Sequence, residues 1–160
     1  MAVIVSLLAL VAQSKNPEYD HWAQCKVGSW TKITIEGEIG GQKAVMETTH
    51  TLLEVGKEKA VVERKMKMTL AGKEQPEQAD KEDVPSDRDP NPVKIEKEGD
   101  EEIQVAGKKF KCHWIQGTQG EKTKVKMWLS KEIPGGIARG EISEEGQGSM
   151  KLTTTSWEKK

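Results

Sequence analysis

The chain has 160 residues, with 25 Lys or Arg against 26 Asp or Glu and a net charge of -1. That length fits a single domain. The charges are mixed along the chain rather than segregated, so it offers no basic face for nucleic-acid phosphates and no polybasic patch for a membrane surface. A mean hydropathy of -0.69 and an aromatic content of 4% imply a thin core, such as one sheet covered on one face. Near-zero net charge and regular patterning argue against disorder.

The first fourteen residues, MAVIVSLLALVAQS, carry no charged side chain. They are too short to cross a bilayer and suit the apolar region and small-residue end of a secretory leader, although the usual basic start is missing. Residues 1–13 are therefore expected to be a leader, with cleavage after Ala12 and a mature chain beginning near Gln13. The alternative is a buried first element of the fold. Cys25 follows His-Trp-Ala-Gln, which lacks the small residue that precedes a lipidated cysteine. The expected product is exported, periplasmic or extracellular, with no stable membrane insertion of the mature chain.

Asn16 can cap a helix, Pro17 suits its first position and Glu18 its positive end. Tyr19, Trp22, Ala23 and Val27 form an apolar stripe at helical spacing, and Gly28 offers a left-handed stop. The pattern predicts a short helix over 16–27. The period then changes to two. Ile33, Ile35 and Ile39 alternate with Lys32, Thr34, Glu36 and Glu38, as in a half-buried strand. Further strands are expected in AVMETTHTLLEV and in KAVVERKMKMTL, where Ala60, Val62, Met66, Met68 and Leu70 share one face. Residues 72–99 hold four of the six prolines and dense mixed charge. They are expected to be mostly a long exposed loop, dispensable for folding, with at most a short strand at VKIEKE. Strands resume at EEIQVAG, KKFKCHWIQG, KTKVKMWLS, GIARGEIS and SMKLTTTSW, separated by glycine turns. The fold class is mainly β (α+β): an antiparallel meander forming a curved sheet or half-barrel with one short N-terminal helix.

Ile133-Pro134-Gly135-Gly136 has proline and then glycine at the central positions of a type II turn. Neither the phosphate-loop pattern nor the dinucleotide glycine pattern occurs, so this segment is expected to be a turn. Cys25 and Cys112, the two cysteines, are expected to form a disulfide in an exported protein; two buried free thiols are the alternative. His21 and Cys25 share a helix face, but Cys112 and His113 are strand neighbours pointing to opposite sides, which disfavours a zinc site. Asp87, Asp89, Asn91 and Glu98 match calcium-loop spacing, but Pro92 stands where that loop requires glycine. No metal or cofactor is expected. His50 and His113 accompany no nucleophile motif. Trp128 falls on the lysine-bearing side of its strand, where it is either covered or free to bind.

Two stretches, CKVGSWTKITIEGEIGGQKAVMETTHTLLEV and VAGKKFKCHWIQGTQGEKTKVKMWLSKEIPGGIARGE, resemble uncharacterised exported bacterial proteins with a Val-Gly-Ser-Trp segment and a Trp-x-Ser strand before Pro-Gly-Gly. The layout is more loosely similar to the LolA-like lipoprotein-carrier superfamily, whose resemblance implies a curved sheet holding acyl chains. The resulting expectation is a non-catalytic binding or carrier domain. Its apolar groove between helix and sheet would be lined by Met66, Met68, Phe110, Trp114, Met127, Trp128 and Leu129 and would take an apolar small molecule or lipid. The alternatives are an envelope domain that binds another protein, and an enzyme of unknown class.

Overall fold

The computed structural model describes residues 16–146 and 148–160; the expected leader at 1–13 lies outside the described residues. The helix α1 (Pro17–Ala23) is followed by ten strands. These are β1 (Trp30–Ile39), β2 (Gln42–Val55), β3 (Lys59–Leu70), β4 (Lys73–Glu74), β5 (Gln78–Pro85), β6 (Lys94–Val105), β7 (Lys108–Gln119), β8 (Thr123–Leu129), β9 (Ile137–Glu144) and β10 (Gly148–Glu158). All pair antiparallel in one open sheet, in the order β4-β3-β2-β1-β10-β9-β8-β7-β6, with β5 alongside β3. The expected curved antiparallel sheet with one short N-terminal helix is the architecture observed. Its two hairpin runs, β1–β3 and β6–β10, meet where β1 pairs with β10.

The helix is shorter than its pattern predicts. Asn16 caps it as expected, accepting from the Glu18 and Tyr19 amides. The helix nevertheless ends at Ala23, and Val27 is exposed. Gly28, at φ +86°, serves the entry into β1 rather than the helix end. Trp22 alone of the stripe is fully buried. It packs with Cys25 on Leu52, Ala60, Val62 and Val84, which lie on one face of β2, β3 and β5 by register.

Residues 72–99 are not a long loop. β5 occupies 78–85, pairing with β3 from Lys59↔Pro85 to Met66↔Gln78, and β6 begins at Lys94. The prolines deceive because β5 is an edge strand: Pro85 is its last residue and Pro76 precedes it, positions where no ladder donor is lost. Its charges face water because it is exposed along most of its length, while Val84 reaches the core.

What remains irregular is the eight-residue crossover 86–93. It joins β5 at one edge of the sheet to β6 at the other. Eight strand spacings in a flat sheet would separate those edges by about 38 Å. Nine extended residue steps reach only about 31 Å. The connection therefore requires the sheet to curl, and it crosses the concave side as a chord. Asn16 Nδ2 donates to the carbonyls of Pro85 (2.6 Å) and Arg88 (3.2 Å), and Gln119 Nε2 donates to that of Asn91 (2.7 Å). One end of the crossover is thereby tied to the helix and the other to β7.

Candidate functional site

Between this crossover, α1 and the sheet lies a cavity of about 940 Å³. Its lining includes Arg64 of β3 as well as Ile115, Met127 and Ile137 of β7, β8 and β9, strands far apart in the sheet order. Register explains the apolar wall. Ile115 faces Met127, and Leu129 faces Ile137 beside a bulge, so alternation brings all four to the helix-bearing side. Each is only half-buried. Gly140, opposite Met127 on β9, makes room for it: a Cβ there would stand 2.6 Å from the thioether sulfur.

The helix end of the cavity is polar. Arg64 Nη2 lies 2.8 Å from Glu18, and Nη1 pairs with Glu82. Trp22 Nε1 donates to the same Glu18 oxygen at 3.3 Å. Asp87 and Asp89 of the crossover add two further carboxylates. His21 also lines the cavity, and burial holds its imidazole below the usual range. Two nitrogens of these residues, His21 Nδ1 and Arg64 Nε, are buried away from the cavity space and have no hydrogen-bond partner.

The Pro-Gly-Gly segment is a turn and also part of the site. Gly136 N donates to Ile133 O at 2.9 Å and Gly135 has φ +75°, matching the type II geometry expected. The rings of Trp22 and His21 lie directly on the two glycines. The turn thus forms the helix's seat, and Gly135 lines the cavity.

The residues expected to line the groove divide between the two faces of the sheet. Met127 and Leu129 line the cavity. Met66 and Met68 lie half-buried on the same side, since Arg64 alternates with them along β3. Phe110, Trp114 and Trp128 do not line it: they belong to a second cluster with Ile103, Val105, Cys112, Ile133 and Ala138. The reason is alternation, since Trp114 and Trp128 are strand neighbours of Ile115 and Met127 and point the opposite way. Trp128 is buried but not by the helix: its Nε1 donates to Glu101, and Lys126 Nζ lies 4.5 Å from its ring centre. Phe110 meets Trp157 edge-on at 5.2 Å.

The expected disulfide is absent. Cys25 and Cys112 are both buried and free. They sit in the two separate clusters, and Cys25 Sγ instead donates to His21 O at 3.4 Å. Among the described residues no group of His, Cys, Asp or Glu side chains is arranged to hold a metal ion. His113 lies between Asp100 (3.0 Å) and Glu98 (3.2 Å) on the surface. Sequence reasoning takes Glu18 only as a helix-end charge and His21 only as a metal candidate, and it misses Arg64 and the crossover. The available signal was Arg64 itself, a charge in the otherwise apolar alternation of β3.

His50, next to Arg64 by register, gives the site a pH signature. Burial first, and then the Arg64 charge, lower its pKa to about 4, and its Nε2 lies 3.0 Å from Thr48 Oγ1. Between its ordinary value of 6.5 and about 4, the unfolded chain binds a proton that the folded chain refuses. Stability is therefore full above pH 6.5 and falls on acidification through this window, by about 2–3 kcal/mol. His113 acts oppositely. The Asp100 hydrogen bond, against desolvation and with help from Glu98, raises its pKa. Its contribution is present below 6.5 and is lost as pH rises through the raised value; being largely exposed, it weighs little. Urea melts of the parent and His50→Gln between pH 7.5 and 4.5 should show a markedly flatter acid dependence in the variant.

The fold and site define an open β half-barrel that holds one helix and an apolar-walled groove on its concave side. No protein-family model and no curated protein matches the chain. Among solved structures it is similar to the crystal structure of MucB in complex with MucA(peri), with 14% identity and a TM-score of 0.49, covering 92% of this chain and 56% of that one. It is also similar to the complex structure of Pseudomonas aeruginosa MucA/MucB (13%, TM-score 0.40, 88% and 56% covered). A DUF1329 family protein from Desulfovibrio piger ATCC 29098 is a third likeness (10%, TM-score 0.33, 92% and 94% covered). The chain thus spans little more than half the length of the MucB chains. Among the described residues, no helix is long and apolar enough to cross a membrane.

Proposed function

We propose that this chain is a non-catalytic binding domain, acting outside the cytoplasm, whose concave groove receives an apolar ligand. The observation that supports it is the wall of half-exposed Ile115, Met127, Leu129 and Ile137 facing a cavity of about 940 Å³ under the crossover. A concave groove with an apolar wall and a few convergent polar groups is a usual form of a small-molecule or lipid site. These side chains would otherwise gain by closer packing, since each buried methylene contributes about 0.8 kcal/mol. An extracytoplasmic setting follows the leader-like sequence MAVIVSLLALVAQS.

Titration with a neutral apolar dye such as Nile red tests the reading. Met127→Glu puts a charge on the groove wall and should weaken dye uptake by about tenfold or more. Because Met127 is half-exposed, the melting free energy should stay within about 2 kcal/mol of the parent. If the parent takes up no dye, or the folded variant takes up as much, the groove is not a binding site. If the parent takes up dye and the variant loses it, native mass spectrometry of protein purified from its own cells identifies the natural occupant.

A further inference from the structure

The concave floor extends well beyond the wall under the crossover. Register joins one row of it from β3 to β7: Met68 faces Met46, Met46 faces Ile35, Ile35 faces Leu152, Leu152 faces Gly140, and Gly140 faces Met127. The neighbouring row runs from Leu70 and Ala44 through Gly37 and Met150 to Ile142 and Val125, and is equally free of charge. From β3 to β7 is six strand spacings, about 29 Å of arc. Of the six methionines, all but Met1 lie on this side, and each of these is half-buried. The helix does not cover the band: Trp22 and Cys25 rest on Leu52, Ala60, Val62 and Val84, at the opposite end of β2, β3 and β5. A contiguous uncovered apolar band marks an interaction surface, and flexible methionine side chains adapt to varied apolar partners.

Both edges of this floor are acidic. On β5, Asp80 faces Arg64 and Glu82 faces Val62, so both lie on the floor side. On β6, Glu98 faces Ile115 and Asp100 faces His113. The crossover adds Asp87 and Asp89. The cations on this side are already engaged. Arg64 holds Glu18 and Glu82, His113 lies between Glu98 and Asp100, Lys109 pairs with Glu102, and Lys111 faces Glu102. An apolar floor between two acidic rims is complementary to an α-helix whose apolar stripe is flanked on both sides by basic residues. A lipid, charged at one end only, would leave one rim unmatched. The width also suits a helix. Edges no more than about 31 Å apart, less about 5 Å of side chain on each wall, leave room for a cylinder about 10–12 Å across.

We propose that the groove docks a basic amphipathic α-helix of another protein, with its apolar stripe on the methionine floor and its Lys and Arg side chains along the two acidic rims. This rests on the apolar-groove reading above and names the occupant as a peptide segment.

Fluorescence anisotropy on the full chain at neutral pH tests it. The probe is a labelled peptide of about fifteen residues with leucines at helical spacing and lysines elsewhere; matched peptides carry glutamine or glutamate in place of lysine. At low salt the lysine peptide should bind about tenfold tighter than the glutamine peptide and tighter still than the glutamate peptide, the gaps narrowing at high salt. It should also displace Nile red. Met46→Asn with Met68→Asn, two half-buried floor positions, should weaken the lysine and glutamine peptides about tenfold, with a urea melt confirming the fold. Asp87→Asn with Asp89→Asn leaves the floor intact, and the amide oxygen introduced at 89 keeps the acceptor that the Asn91 amide uses. This rim variant should bind the lysine peptide about threefold to fivefold more weakly and the glutamine peptide unchanged. The glutamate peptide binding as tightly as the lysine peptide would overturn the proposal. So would a folded floor variant, or a rim variant, that binds the lysine peptide as the parent does. A parent that takes up Nile red but yields it to none of the peptides would also overturn it, leaving the groove to an apolar small molecule or a lipid. A parent that binds neither dye nor peptide would overturn both readings.

Discussion

Replacing residues 75–96 by a short glycine–serine bridge should abolish cooperative unfolding. β5 contributes eight residues of ladder to β3, and its Val84 is buried with Trp22, Leu52, Ala60 and Val62. Deletion exposes β3 as a new edge and opens the cluster on which α1 rests. It also removes the Pro85 and Arg88 carbonyls that Asn16 holds, so the helix N-terminus loses its anchor. The loss of Val84 alone is worth about 2 kcal/mol. Added to eight unpaired ladder positions, it exceeds what a domain with roughly 5–15 kcal/mol of stability can absorb. A milder variant keeps the test informative: Val84→Ala should lower stability by about 1–3 kcal/mol with cooperativity retained. A deleted chain that still melts sharply, within a few degrees of the parent, would mean that β5 is not part of the folding unit.

This prediction reverses what composition alone suggests for the segment. Strands β1, β3, β7 and β8 were legible because one face of each is apolar and the other charged. In β1, Ile33 and Ile35 stand against Lys32, Thr34 and Glu36. β5 was illegible because an edge strand with both faces largely in water has no such contrast, and its ladder is a backbone property that side chains do not record. The curl itself is expected from the meander, but the short crossover that enforces it is hidden for a related reason. That eight residues connect two opposite edges is known only once the strand order is known.

The site was half legible. Met127 and Leu129 could be placed by period two, and they line the cavity. Phe110, Trp114 and Trp128 are expected in the same groove, although Trp128 already falls on the lysine-bearing side of its strand; period two puts all three on the side away from the cavity. Alternation between Trp114 and Ile115 separates the two sets. The disulfide expectation failed similarly: Cys112 follows the parity of Phe110 and Trp114 and belongs to their cluster, whereas Cys25 follows Trp22. Nothing local could reveal the carboxylate–guanidinium group, since Glu18, Arg64 and Glu82 come from α1, β3 and β5.

Gly136→Ala should cost about 2–6 kcal/mol, a large effect for one added methyl group. Two costs act together. Gly136 has φ +84°, where a Cβ is strained by about 1–3 kcal/mol. That Cβ would also stand 2.4 Å from His21 Cδ2, so ring or turn must move, at a further cost of about 1–3 kcal/mol. Gly135→Val meets the same pair of penalties, at φ +75° and with its Cβ 2.9 Å from Trp22 Cζ2. Pro134→Ala should cost less, about 1–2 kcal/mol, since it only trims a buried ring and frees the unfolded chain. Urea melts of the three variants establish the order. A double-mutant cycle then separates strain from clash: in a His21→Ala background, Gly136→Ala should lose the clash and retain only the backbone term. An undiminished cost in that background would mean that His21 does not rest on the turn. If Gly136→Ala melts like the parent, the helix is not seated on Pro-Gly-Gly, and the segment is free to act as a mobile rim of the groove.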